Sequence, residues 1–525
     1  MFDKNKKILW LSIILPIGFL VGSYLGIQYT SNSSNAYFGK SSGQDRVGSV
    51  IDYVDKMYVD DVQREHLIEV AIEAITKELD PHTAYLSPEE LAIAQEPMQG
   101  HFFGIGVEFM LIDDSINILK TIPGGPSDEA GMKRGDKILF ADSTKLFGEE
   151  VNNPLILKTL KGEKGSKVNV SIDRNGDSLS FPIIRGSIPI PSVMDYNVLL
   201  DSIGFIKILR FAETTDDEFF DQLDAVLELG IKNVVIDLRN NGGGYLNSTI
   251  NICEKLLSKG DLIVYTEGKA RPRKNFYAKG SKKYEAPNYY ILINENSASA
   301  SEILAGAFQD NDKATIIGQR SFGKGLVQEE HHLPEKAAIR LTVARYYTPS
   351  GRSIQKVYQD SIGNMIDIES YYAADYHGTI DSTEFYTKSG RVVYGGGGIK
   401  PDITTEYKDD DEQLSNSIAP LFPLIAYGGI NATCFKYAAS KDFEFGTIEE
   451  FDQNFNLIDF LQFVKARNPD VNLDLKAQYS DYDRNYMKIL VARYVFSNSE
   501  AQYFSLKIDP DIPFLLQAME NNIKK

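Results

Sequence analysis

Cysteine and positive charge are both scarce in this sequence. It has two cysteines among 525 residues, Cys253 and Cys434, and they fall in stretches that we expect to belong to different domains. Two unpaired buried thiols are therefore favoured over a disulfide.

Lys and Arg number 55 against 73 Asp and Glu, for a net charge of −18. Because nucleic-acid binding depends on neutralising phosphates with Lys and Arg, no nucleic-acid partner is expected.

Uncharged apolar sequence is concentrated in one run near the N-terminus, over residues 8–27, and three lysines precede it. About twenty such residues match a hydrocarbon core of about 30 Å, and the lysines favour a cytoplasmic N-terminus. A cleaved signal peptide is the alternative, because "SNSSNA" (31–36) resembles a cleavage region. Since the run is longer than a signal h-region, we expect residues 1–30 to form an uncleaved anchor.

A helical segment is predicted next, over residues 41–98, by apolar residues that recur with helical spacing. They are Ile68, Ala71, Ile72, Ile75 and Leu79. "LDPHTAYLSPEE" ends this segment with two prolines. His82 lies there, and a lone histidine in such a turn is more often a structural hydrogen-bonding residue than a ligand or a base.

Residues 99–186 change to short alternating segments separated by glycines. "FGIGVEF" followed by "AGMKRGDKIL" resembles a PDZ domain. Glycines in the first motif allow successive backbone N–H groups to converge on a carboxylate, and the strand edge beside it can pair with an extended peptide. The expected peptide-binding residues are Phe103, Gly104, Ile105, Gly106 and Val107. The expected ligand is a peptide with an apolar tail and a free C-terminal carboxylate.

An α/β pattern follows. "GFIKIL" and "NVVIDL" read as buried strands around a helix that opens with a capping box formed by Thr215 and Glu218. "DLRNNGGGYL" comes at the end of the second strand, where α/β folds place their sites. Its three glycines suit close backbone approach to a ligand or donors aimed at an oxyanion, with a flexible hairpin as the alternative.

The serine-rich stretch "INENSASASEILAGAFQD" joins a predicted strand to a predicted helix. Ser299 and Glu302 fit a helix capping box, so this serine needs no catalytic explanation on local grounds. The same helix N-terminus also favours a developing oxyanion, which suits a nucleophile. A nucleophile needs a base, and no histidine lies within the stretch.

Two kinds of base are available downstream. His331 and His332 are adjacent, but we expect them at the far end of a strand. Lys324 lies between two glycines in "FGKGLVQ", among apolar residues. A lysine acts as a general base only when it is neutral, and burial lowers its pKa from about 10.4 toward that state. A Ser/Lys pair is thus a coherent interpretation.

Over residues 46–405 the ordered motifs resemble the C-terminal processing peptidases, or tail-specific proteases, a Ser/Lys family that carries a PDZ domain. The resemblance implies Ser299 as nucleophile, Lys324 as general base and Gln328 as the residue that orients this lysine. It implies the backbone N–H groups of Gly243 and Ala300 as oxyanion donors. Gly242 departs from the proline that is usual in the family.

The expected fold is therefore multi-domain α/β. It comprises the anchor, the helical segment, the PDZ domain, a crotonase/ClpP-like peptidase core over 187–405 and a helical C-terminal extension over 406–525. Residues 357–398 read as an insertion in the core, either lining the cleft or forming a passive loop.

The resemblance implies a serine endopeptidase that recognises protein C-terminal tails and needs no metal or other cofactor. We expect a single-pass protein of the bacterial inner membrane with its catalytic part on the periplasmic side. An adaptor or regulator, the natural substrates and the oligomeric state are left open. The alternatives are a membrane-tethered PDZ scaffold with an inactive peptidase domain and a latent enzyme.

Overall fold

The computed structural model describes residues 46–359, 365–373, 383–405, 418–426 and 428–523. The predicted anchor, residues 1–30, lies outside them. Within the described ranges, no helix is long and apolar enough to cross a membrane. The chain divides into two compact units, with the boundary in sequence between Thr76 and Lys77. The described part of the first unit contains helix α1 (Arg46–Met57) and most of helix α2 (Arg64–Lys77).

The second unit begins with a strand and a capped helix and continues into a PDZ-like sheet. Ser87 caps the helix, and Glu90 completes the capping box. The sheet order is β3-β4-β5-β7-β8, with β6 beside β5, while β2 pairs separately with β9. These elements are β1 (Ala84–Leu86), α3 (Pro88–Gln99), β2 (His101–Gly104), β3 (Val107–Ile112), β4 (Ser115–Thr121), α4 (Pro126–Glu129), β5 (Lys137–Ala141), β6 (Thr144–Lys145), α5 (Asn153–Leu160), β7 (Lys167–Arg174), β8 (Asp177–Ile184) and β9 (Gly186–Pro189).

A mainly parallel sheet forms the centre of the core, in the order β10-β11-β12-β15-β16-β21. Its strands β11, β12 and β15 are largely buried and pair in parallel, as expected for apolar strands covered on both faces. The elements up to the fourth of these strands are β10 (Asn197–Leu199), β11 (Ile203–Lys207), α6 (Thr215–Glu228), β12 (Asn233–Asp237), α7 (Leu246–Leu256), β13 (Leu262–Gly268), β14 (Arg271–Tyr277), α8 (Lys282–Glu285) and β15 (Asn288–Ile293).

A second sheet has the order β1-β18-β13-β14, with β17 beside β18. In this sheet β1, which precedes the PDZ-like part in sequence, pairs with β18 of the core. The remaining core elements are α9 (Ala300–Asp310), β16 (Ala314–Gly318), β17 (Leu326–His332), a 3-10 turn (Pro334–Lys336), β18 (Ala338–Tyr347), α10 (Ile368–Tyr372), β19 (Glu384–Tyr386), β20 (Val392–Tyr394) and β21 (Ile403–Thr404). Helix α10 and the β19–β20 hairpin come from the predicted insertion.

The predicted capping box at the start of α6 was wrong. Thr214 is the N-cap and Thr215 is already helical, so Glu218 follows the N-cap by four residues, one more than a capping box requires. The Thr215 hydroxyl instead accepts the Ala212 N–H and donates to Ser192 Oγ. The Glu218 carboxylate accepts the N–H of Ser192. Both side chains therefore fix the chain entering the core rather than capping the helix.

The C-terminal part is helical and packs against both preceding parts. Its core includes Ile112 of β3, and Arg134 donates to the carbonyl of Val495. The last helix packs on one face of the central sheet, where Leu515 meets Val235 and Tyr290 in one cluster. The helices are α11 (Phe422–Ala426), α12 (Gly429–Ala439), α13 (Ile448–Asn454), α14 (Leu457–Arg467), α15 (Asp481–Ala492), α16 (Asn498–Lys507) and α17 (Ile512–Ile523), after a 3-10 turn (Ala419–Leu421).

Candidate active site

Ser299 occupies the turn between the buried strand β15 and helix α9. Its φ of 56° and ψ of −113° are unusual for a residue with a side chain, and such strain persists where the surrounding structure imposes it. The next residue, Ala300, is the first of the helix. Its N–H belongs to the first turn, where donors lack intrahelical partners. Ser299 therefore lies at the positive end of a helix dipole, where a developing oxyanion is stabilised.

Lys324 lies in the loop between β16 and β17. Its Nζ donates to Gln328 Oε1 over 2.8 Å, and Gln328 Nε2 donates to the His82 carbonyl over 2.7 Å. Burial, aided by the charge of Arg340, lowers the pKa of Lys324 to about 8. About one tenth of such a lysine is neutral at pH 7, against less than about 0.1% at the ordinary pKa. The neutral form of lysine is the form that can accept a proton.

Glu302 and Tyr346 tie the loops of Ser299 and Lys324 together. Glu302 is fully buried, and its Oε2 accepts the N–H of Ser299 and the N–H of Lys324, each over 2.8 Å. Tyr346 Oη lies 3.1 Å from the Ser299 carbonyl oxygen and 2.7 Å from that of Lys324. The carboxylate of Glu302 and the hydroxyl of Tyr346 thus each contact the backbone of both loops, which fixes the two loops relative to each other.

These two contributions were missed in the sequence. The sequence indicates Glu302 only as a capping residue, but its Oε1 also accepts from Ser321 Oγ and from the Gly323 N–H. Tyr346 lies in "RYYTPSGRSIQ", where nothing in the sequence indicates a role for the tyrosine. The available signal was a glutamate beside the serines in an otherwise apolar helix, where burial requires partners.

His82 has structural hydrogen bonds. Its ring nitrogens lie 3.1 Å from the Tyr371 hydroxyl and 3.0 Å from the Tyr372 hydroxyl. Burial, followed by the charge of Lys324, lowers the pKa of His82 to about 3, so the ring is neutral at physiological pH. The backbone carbonyl of His82, rather than its ring, is connected to Lys324 through Gln328. The predicted insertion thus contacts the site through Tyr371 and Tyr372.

A second buried lysine lies near this site. Lys356 Nζ is 3.8 Å from the ring centroid of Phe322 and 4.5 Å from that of Tyr371. Burial lowers its pKa to about 8, as it does for Lys324. Its ammonium group is held on aromatic faces, whereas Lys324 is held by an amide oxygen. Two lysines with a lowered pKa therefore lie in this region.

The glycine turn lies against the serine. At Gly243, with a φ of +99°, a Cβ would come within 2.7 Å of the Ala298 carbonyl oxygen and 2.8 Å of Ser299 Cβ, so only glycine fits. The Gly243 N–H donates to Asn241 Oδ1 over 2.9 Å. It could serve an oxyanion only by sharing or changing that hydrogen bond. Gly242, where the family usually has proline, has open space around its Cβ position.

The histidine alternative does not form a site. His331 and His332 are exposed near the end of β17, and His331 lies 3.6 Å from Glu329. In the part of the chain that the structure describes, no group of three or more His, Cys, Asp or Glu could hold a metal ion. Cys253 and Cys434 are buried free thiols.

The expected peptide-binding residues lie where β2 passes into β3. Ile105 is buried, and Gly106 has a φ of +77° with its Cβ position 2.9 Å from Ile188 Cδ1. Strand β3 is an edge strand of its sheet. A cavity of about 520 Å³ lies between that strand and the start of α5, lined among others by Phe109, Leu111 and Asn152. An edge strand beside a helix is the geometry for adding an extended peptide.

Comparisons with known proteins show the family to which this sequence is similar. The model of peptidase family S41 matches residues 202–368, and a PDZ domain model matches residues 104–184. A carboxy-terminal-processing protease of Bartonella bacilliformis is 35% identical over 337 residues, covering 62% of this chain and 75% of that protein. The carboxy-terminal processing protease CtpA of Bacillus subtilis is 31% identical over 360 residues, covering 67% and 76% respectively. A solved structure named as a photosystem II D1 C-terminal processing protease aligns with 61% of this chain and 91% of its own, at 27% identity and a TM-score of 0.34.

Proposed function

This chain belongs to the carboxy-terminal processing proteases of peptidase family S41, serine peptidases with a PDZ domain, and from that premise we propose how its own residues cleave a peptide bond. Neutral Lys324 accepts the hydroxyl proton of Ser299 while Ser299 Oγ forms a bond to the scissile carbonyl carbon. The carbonyl oxygen becomes an oxyanion, which the N–H groups of Ala300 and Gly243 stabilise.

Collapse of this intermediate breaks the C–N bond, and protonated Lys324 gives its proton to the leaving amine. An acyl-enzyme on Ser299 is left. Water attacks its carbonyl carbon while Lys324 accepts a proton, the bond from that carbon to Ser299 Oγ breaks, and Lys324 returns the proton to Ser299 Oγ. Gln328 orients the Lys324 side chain, because Lys324 Nζ donates a 2.8 Å hydrogen bond to Gln328 Oε1. The observation that carries this assignment is the shared carboxylate of Glu302, which joins the backbone of nucleophile and base.

We also assign the core to the crotonase/ClpP-like fold, supported by its parallel strands and the helix that starts at Ala300.

The PDZ domain supplies substrate selection. We propose that a protein C-terminus pairs with the β3 edge while its carboxylate meets the loop at Gly104 and Gly106. Apolar side chains are favoured, because Phe109 and Leu111 line the adjoining cavity. A membrane-tethered scaffold is not favoured, since the chain matches the active proteases of the family.

A matched pair of substrates tests this function. A reporter protein with an apolar C-terminal tail should be cleaved by the full-length chain in mild detergent. The same reporter with an amidated terminus should be cleaved at least about tenfold more slowly, because a charge-assisted contact to the carboxylate is lost. Cleavage is followed by gel and mass spectrometry. Equal rates for both reporters would refute tail recognition, and binding of the tail without cleavage would support the scaffold.

We further propose that residues 1–30 anchor the protein in the bacterial inner membrane with its catalytic part in the periplasm, and that an adaptor regulates access. Three lysines before an uncharged run of about twenty residues support the first proposal. In spheroplasts, added protease should digest the PDZ domain and core from outside. Complete protection in sealed spheroplasts, or release of the intact chain by osmotic shock, would contradict the topology or the anchor.

A further inference from the structure

Arg239 begins the glycine turn, four residues before Gly243, and its guanidinium group is surrounded by carboxylates. Nε donates to Asp237 Oδ1 over 2.9 Å, and Nη2 donates to Asp237 Oδ2 over 3.0 Å. Nη1 and Nη2 donate to Asp509 over 2.8 and 2.6 Å, and Nη1 also donates to Asp511 Oδ2 over 2.8 Å. Because a guanidinium has five N–H donors, this set of five hydrogen bonds saturates it.

Two of the three carboxylates come from the C-terminal extension, outside both matched family models. Asp509 and Asp511 immediately precede α17, whose position is set by burial of Leu515 in a cluster with Val235 of β12. The Asp511 N–H donates to Asp509 Oδ1 over 2.9 Å, which fixes the two carboxylates relative to each other. They are therefore held rigidly on the sheet beneath the turn.

The turn is anchored at successive residues. After Arg239, the Asn240 N–H donates to Asn294 Oδ1, and Asn241 Nδ2 donates to the carbonyl of Ile208, each over 2.9 Å. Gly243 then lies against Ser299. The Arg239 anchor differs from the others because it depends on a part of the chain some 270 residues away. Because Arg239 is the first residue of the turn, we expect a shift of its side chain to reorient the backbone that follows it.

We propose that Asp509 and Asp511 are positioning residues, which hold the glycine turn in the shape that stabilises the oxyanion by fixing Arg239. This inference rests on the proposed role of Ser299 and of the turn beside it. It gives the C-terminal extension a part in the chemistry, acting through Arg239 rather than by contact with the substrate.

The electrostatics favour this role. Asp237 and Asp511 are fully buried and Asp509 is 11% exposed, while the cations that face them are Arg239 and Lys207. Burial would raise the pKa of Asp237, but the charges of Arg239 and Lys207 outweigh burial and hold that pKa well below its usual range. Charge-assisted hydrogen bonds of this kind are strong and directional. Loss of one carboxylate leaves guanidinium donors free to seek another geometry.

Asp511→Asn and Asp509→Asn test the proposal in the full-length chain. We expect each to lower kcat by at least about tenfold with KM changed by less than about twofold, because a displaced oxyanion donor acts on the transition state. A peptide aldehyde, which forms a hemiacetal with Ser299, should bind more weakly in proportion to the loss of kcat/KM. Asp452→Asn is the matched control, since it removes the partner of Lys488 and Lys507 within the same extension. That variant should keep kcat within about twofold.

The outcomes separate this inference from the proposed function. Unchanged kcat and aldehyde affinity in both folded variants, or a rise in KM alone, would overturn the positioning role. Cleavage by Ser299→Ala would overturn the proposed function instead. Folding is checked by thermal unfolding, and where Asp511→Asn fails to fold, Asp509→Asn decides, because its carboxylate is partly exposed.

Discussion

Replacing Lys324 by alanine is expected to lower kcat/KM by about 10⁴-fold or more, since the residual rate of a serine peptidase without its base comes only from substrate binding and the oxyanion donors. In Lys324→Ala the hydroxyl proton of Ser299 has no acceptor of suitable pKa. The backbone of residue 324 keeps its hydrogen bond to Glu302, so the loop should stay in place. Initial rates with the apolar-tailed reporter provide the measurement.

Lys356→Ala is the matched control for this prediction. The pKa values of both lysines are lowered to about 8 by burial, so pKa alone does not distinguish them. Their surroundings differ, because the Lys324 ammonium donates to Gln328 Oε1 whereas the Lys356 ammonium lies over aromatic rings, and the family resemblance assigns the base to Lys324. Lys356→Ala should keep activity within about tenfold. The opposite ranking of the two variants would transfer the role of base to Lys356.

Replacing Ser299 by alanine should abolish cleavage to a similar extent, because no acyl-enzyme can form. Tail binding should be unchanged, since the PDZ groove lies in a different domain. The measurement is cleavage rate together with the Kd of a fluorescent tail peptide. A folded Ser299→Ala protein that still cleaves the reporter would remove this serine from the mechanism.

Ser301→Ala serves as the control within the same stretch. Its hydroxyl is fully buried and donates to the Asn241 carbonyl over 2.9 Å, while Ser297 Oγ donates to that of Leu238 over 2.8 Å. Both neighbouring serines thus hold the glycine turn. Loss of one such hydrogen bond costs about 1 kcal/mol of stability. We expect Ser301→Ala to retain measurable cleavage where Ser299→Ala has none.

The strand, turn and helix around Ser299 could be predicted from local pattern, because buried strands and capped helices leave clear signals. The choice between cap and nucleophile could not, since the same helix N-terminus serves both uses. Glu302 shows why: its carboxylate makes the helix-capping contact and also binds the loop of Lys324. That second contact depends on tertiary structure.

The surroundings of Lys324 could not be predicted in full either, because they include long-range contacts. The family resemblance implied Gln328 as the partner of Lys324, but Gln328 is itself held by the carbonyl of His82, 246 residues earlier. Likewise, amphipathic stretches predicted helices in the C-terminal extension but not the contacts of Asp509 and Asp511 with Arg239. Such ion pairs join segments whose separation in sequence gives no periodic signal.

The most direct test of the central claim is the pH dependence of Ser299 modification by a fluorophosphonate. The base acts in its neutral form, so the rate should fall as pH drops below the pKa of Lys324, near 8, and level off above it. Mass spectrometry should place one phosphonyl group on Ser299, and Lys324→Ala should lose both the rate and this pH limb. Modification at another residue, or the same pH profile in Lys324→Ala, would contradict the Ser/Lys mechanism.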